Sequence, residues 1–366
     1  MTSIINDINQ STIEGQAEDK RNYVFDFLRI FACFMVIINH TNSWIFNKYF
    51  PSVSGQISLF LFFLSKTGVP LFFMISGSLL LGKRDGFRIA YGKRALRILI
   101  DIVIFSILTT CLIRRDLSAF SLEFFVSLVQ RPCIVSYWYL YSYLSLMLLL
   151  PFLQHMVSAM SSKDFAVFLG ITFLVKQGSS FLPVLGFPVS ISGFFSDNFF
   201  SGGIFYLLMG YYISNYVVKW IDRFGKGKTA VCLTCSVLLI GGILFSWFLT
   251  GQEYYQNGKF VLKLDNVYNL PITVYSTALF LLALLLFQKR KISKSVAKIV
   301  CTISQATFGV YLIHNVGIMA TRRILNFLCT KINDLLAVLI MDVFIFSACT
   351  ILIVLIRKIP GMKKIL

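Results

Sequence analysis

Charge is scarce in this chain, and negative charge most of all. Of 366 residues only 14% are charged, and 16 Asp and Glu stand against 34 Lys and Arg. A soluble domain carries about 25% charged residues, so a water-soluble globular fold is excluded. The eight cysteines are scattered, mostly inside apolar runs, which excludes a disulfide framework. Cys232 and Cys235 form a C-x-x-C, but it falls within the apolar stretch Ala230–Leu249. A redox or zinc site there would be buried in lipid or helix packing, so the pair reads as structural. No metal site and no resident cofactor are expected. A secretory signal is also missing: residues 1–20 are polar and mixed in charge, and apolar sequence begins only near Tyr23. Two related halves with matching broken helices, common in transporters, are not found either.

Apolar side chains are abundant, at 57% of the chain. They cluster in stretches of about 20 residues, the length that crosses a bilayer core of about 30 Å. The pattern predicts an all-α polytopic membrane bundle of about ten spans, near 23–45, 57–82, 96–113, 134–153, 164–177, 199–218, 229–250, 268–287, 299–321 and 335–357. One membrane domain is expected over 22–358, with cytoplasmic tails at 1–21 and 359–366. With both termini in the cytoplasm, the inner connections and tails hold roughly twice as many Lys and Arg as the outer ones. The formal charge of +18 therefore reflects topology, and nucleic acid is not an expected partner.

An ionisable side chain inside a span is costly and marks a candidate site. The first span carries Asp26, Arg29 and His40. Asp26 and Arg29 are three apart and can pair on one helix face. Arg29 and His40 are eleven apart, which returns to nearly the same face about 16 Å further along the axis. The second span contains Lys66-Thr67-Gly68-Val69-Pro70, where Gly68 and Pro70 should break the helix, as is tolerated when backbone lines a cavity. Lys66 would face that cavity, and Ser76 and Gly77 suit close helix packing. Arg94 and Arg97 share a face at the start of the third span and could clamp a phosphate. His314 is a second intramembrane imidazole, in the ninth span. Trp138 and Tyr139, opening the fourth, read as interfacial aromatics.

Taken in order, these residues resemble the membrane acyltransferase-3 family. Asp26 and Arg29-x10-His40 look like its first-helix motif, and Val69-Pro70-Leu71-Phe72-Phe73-Met74-Ile75-Ser76-Gly77 its second-helix signature. Arg94-x-x-Arg97 matches its arginine pair, and Trp138-Tyr139-Leu140 and Tyr311-Leu312-Ile313-His314 also recur there. The resemblance implies an enzyme of the bacterial cytoplasmic (inner) membrane. It would move an acyl group, usually acetyl, from cytoplasmic acyl-coenzyme A to a hydroxyl of a cell-envelope glycan or lipid-linked saccharide. The chain ends soon after its last expected span, so a stand-alone form without an extracytoplasmic domain is expected. Arg94 and Arg97 would hold the donor's phosphates, and Arg29 would bind its polar arm or stabilise charge near the thioester. His40 would act as general base or as an acyl-histidine relay, with Asp26, Lys66, Ser76 and His314 in support and Lys66 or His314 as the oxyanion contact. The competing reading is a small-solute permease or sensor whose polar path is lined by Asp26, Arg29, Lys66 and His40.

Overall fold

The computed structural model describes residues 22–114, 117–187, 189, 191–196, 202–225 and 227–362. The expected tail 1–21 and residues 363–366 of the expected C-terminal tail lie outside them. Among the described residues every regular element is helical. Ten long helical segments follow in order: α1 (Tyr23–Thr41), α2 (Val53–Leu80), α3 (Phe87–Leu112), α4 (Val135–Ala159), α5 (Ser162–Leu185), α6 (203–224), α7 (Lys228–Asn257), α8 (Leu270–Phe287), α9 (Lys294–Cys329) and α10 (Asp334–Ile356). All but α6 are long and apolar enough to cross a membrane, which makes nine such helices among the described residues. The chain is a multi-pass membrane protein.

The sixth expected span departs from the pattern for a physical reason. It is helical, but Tyr206, Tyr211, Tyr212, Asn215 and Lys219 dilute its hydropathy. Phe205, Tyr206, Leu207 and Leu208 on it are fully buried. A helix walled by protein needs no apolar coat facing lipid. Its closest neighbour is α2, and backbones touch. A Cβ on Gly77 would lie 1.7 Å from the Leu207 carbonyl oxygen, and one on Gly210 would lie 2.1 Å from that of Met74. Ser78 Oγ then donates across to the Gly210 carbonyl at 2.8 Å. The expected small-residue packing at Gly77 is thus realised, as membrane helices without a hydrophobic drive to associate require.

Two local features position the site. Asn22 caps α1 by accepting from the Val24 amide, which starts the helix nearly two turns before Arg29. In α2 the regular helix stops at Ser65 and restarts at Gly68. Lys66 and Thr67 form the break, and Thr67 Oγ1 returns a bond to the Leu64 carbonyl. Pro70 sits in the first turn of the second half, where its missing N–H costs no hydrogen bond. α9 is 36 residues long, or about 54 Å, so it passes both ends of the site.

Candidate active site

Two cavities enter the bundle beside α1, one at each of its ends. The first, of about 540 Å³, lies at the N-terminal end and is basic. Arg29 comes from α1, Ser76 from α2, Lys93, Arg94 and Arg97 from α3, and Thr307 and Phe308 from α9. No carboxylate lines it among the described residues. Carboxylates stand behind its cations instead. Asp26, 2% exposed, accepts from Ser304 Oγ at 2.6 Å and pairs with Arg29 Nη1 at 3.3 Å. Asp85 pairs with Arg94 Nη2 at 2.7 Å and is held by the Gln154 amide at 3.3 Å. Asp101, wholly buried one turn below Arg97, lies 3.9 Å from its Nε, and the same guanidinium covers the Phe308 ring at 5.6 Å. Each arginine is thus paired with a carboxylate outside the lining while it faces the cavity itself. Such a chamber suits a polyanion.

The second cavity, of about 450 Å³, lies at the other end of α1. His40 and Lys66 line it with Asn39, Ser136, Trp138 and the α7–α8 connection from Asp265 to Tyr268. Behind His40 stands His314, with ring centroids 5.2 Å apart and 35° between planes. The partners of His314 fix its proton. Nδ1 lies 2.5 Å from the Tyr311 carbonyl oxygen, which only accepts, so Nδ1 carries the hydrogen. Nε2 is then the acceptor for the Asn315 amide at 2.9 Å, and that amide also donates to Ser136 Oγ at 2.7 Å. His314 is therefore a buried, neutral imidazole with both nitrogens engaged. His40 is exposed to the cavity and makes no hydrogen bond among the described residues. Of the two imidazoles, His40 is the one free to exchange a proton with a ligand. Lys66 Nζ lies over the Phe62 ring at 4.2 Å, on the same chamber.

Two residues line both cavities, Tyr139 and Tyr311. Their rings meet edge to face at 5.4 Å and form the partition. The expected residues therefore sort into three places. Arg29, Ser76, Arg94 and Arg97 share the basic chamber, and His40 and Lys66 share the other. Asp26 and His314 lie behind the walls and hold the residues in front. Arg29 and His40 do share a face of α1, but the tyrosine partition stands between them. Sequence reading passed over Tyr139 as an interfacial aromatic, and Asp101, Asp265, Asn266 and Asn315 went unremarked. Asp101 was within reach of the rule already applied to Asp26, since it too is an acid inside a span.

Comparison with curated proteins found no match, and neither did comparison with solved structures. A family model described as an acyltransferase domain matches residues 22–357. That range takes in all ten helices and both chambers. On that match the chain belongs to the acyltransferase-3 family, and is a multi-pass membrane enzyme that transfers an acyl group.

Proposed function

We propose that the donor is acyl-coenzyme A, acetyl-coenzyme A first among them, entering the basic chamber from the cytoplasm. The acceptor is a hydroxyl of a cell-envelope glycan or lipid-linked saccharide, reached from the other chamber across the bacterial inner membrane. One observation carries this reading. A chamber lined with cations and a chamber holding a free imidazole meet at a wall one side chain thick. Coenzyme A is a polyanion with a long, narrow arm. Its phosphates match Arg94, Arg97 and Lys93, and only the arm need pass Arg29 toward the wall.

The chemistry then runs on this chain's own groups. His40 takes the proton of the acceptor hydroxyl as its oxygen attacks the thioester carbonyl. The tetrahedral intermediate collapses, the C–S bond breaks, and the proton ends on the departing coenzyme A sulfur. His314, with both nitrogens engaged by protein partners, backs the His40 ring and leaves the proton exchange to His40.

The test is O-acetyl content of envelope glycans by NMR in a deletion strain complemented with wild type or His40→Ala, with membrane levels matched. Acetylation restored by wild type alone supports the reading. Equal restoration by both removes His40 from the chemistry. No change with wild type removes the glycan as acceptor.

A further inference from the structure

The deeply buried tyrosines of this bundle spend their hydroxyls on named carbonyls, with one exception. Tyr137 donates to the Leu312 carbonyl and Tyr275 to that of Phe63. Tyr206 donates to the Val267 carbonyl and Tyr311 to that of Ser136. Tyr139 is 6% exposed, yet its hydroxyl has no hydrogen-bond partner among the described residues and is not sealed among packed atoms. Its ring is held firmly, stacked on Tyr143 at 5.6 Å and packed against Phe73 at 4.9 Å and Tyr311 at 5.4 Å. A rigid ring carrying a spare donor thus stands at the junction of the two chambers. The hydroxyl is therefore open to a ligand that enters either cavity.

We infer that the Tyr139 hydroxyl is the oxyanion donor of acyl transfer; this rests on the acyl-coenzyme A reading above. As the acceptor oxygen bonds to the thioester carbon, the carbonyl π pair moves onto its oxygen and accepts a hydrogen bond from Tyr139. Tyr139 keeps its own proton throughout. When the C=O re-forms and the C–S bond breaks, that bond weakens again and the ester leaves. The role falls to Tyr139 rather than Tyr311 because the Tyr311 hydroxyl is committed to Ser136. Lys66 and His314 are less suited: Lys66 does not line the basic chamber from which the donor's arm enters, and His314 has its only N–H on a carbonyl.

Tyr139→Phe removes the hydroxyl and no protein contact. Membrane vesicles from the deletion strain, carrying the full-length chain and the cell's own acceptors, are given acetyl-coenzyme A labelled in the acetyl group. The initial rate of label incorporation at saturating donor is expected to fall about 100- to 1,000-fold, with KM for acetyl-coenzyme A and the thermal unfolding midpoint unchanged. Tyr311→Phe serves as the contrast, since it should lower the midpoint. A Tyr139→Phe enzyme as fast as wild type overturns the inference, and so does one whose midpoint falls with its rate. If wild type incorporates no label, the acyl-coenzyme A reading fails and the inference goes with it.

Discussion

The two chambers solve opposite problems with opposite tactics. In the basic chamber every arginine has a carboxylate behind it: Asp26 for Arg29, Asp85 for Arg94 and Asp101 for Arg97. Those pairings orient the guanidinium groups, and all three arginines line the chamber. In the other chamber the reactive candidate, His40, is left without a hydrogen-bonded partner, and the pairing falls on its neighbour His314. A binding group gains from being fixed in place with its charge constant. A group that must take up and release a proton gains from keeping its ring nitrogens open to the ligand.

That contrast can be broken or sharpened by substitution. The largest effect is expected for His40→Gln, with turnover reduced by roughly 10²- to 10⁴-fold and coenzyme A affinity, measured by calorimetry in nanodiscs, unaltered. A matching loss of coenzyme A affinity would mean that the chambers are not functionally separate. Next come Arg94→Ala and Arg97→Ala. Each should weaken coenzyme A binding by roughly 10- to 100-fold, the loss of a charge-assisted contact of about 1.5–3 kcal/mol. Turnover at saturating donor should stay near wild type. The smallest effect belongs to Asp26→Asn, which loosens Arg29 without removing it. Coenzyme A affinity should fall only about two- to five-fold, the range of a partly exposed ion pair. A larger drop than that of Arg94→Ala would show that Asp26 does more than aim a neighbour.

Much of this arrangement was legible before any coordinates. The spans follow from apolar run length, and the helix break at Lys66 from Gly68 and Pro70. The cavity-lining roles of Arg29, His40, Lys66, Arg94 and Arg97 follow from the cost of placing polar groups in a bilayer. The partition did not show itself, because a tyrosine within an apolar run reads as filler whether or not its hydroxyl is satisfied. Tyr139 and Tyr311 are also far apart in sequence, and only the packing of α4 on α9 makes them one wall. Asp265 and Asn266 stayed hidden for the opposite reason: in a connection, polar residues are the default and carry no signal. The sixth expected span, 199–218, falls on a helix over 203–224 that is less apolar than expected, since a helix buried among others is free to carry tyrosines.

The Tyr139–Tyr311 contact also bears on the energetics of the cell that holds this enzyme. A membrane keeps its ion gradients only while nothing aqueous runs through it, and moving one charge across 100 mV is worth about 2.3 kcal/mol. Here two hollows reach inward from opposite ends of one helix, and Tyr139 and Tyr311 line both. On the proposed route the enzyme lets an acyl group change hands at that wall while denying passage to a proton. Read this way, the dense aromatic packing around Tyr139 works as an electrical seal as much as a scaffold, and a variant that opened it would reveal itself first as a leak.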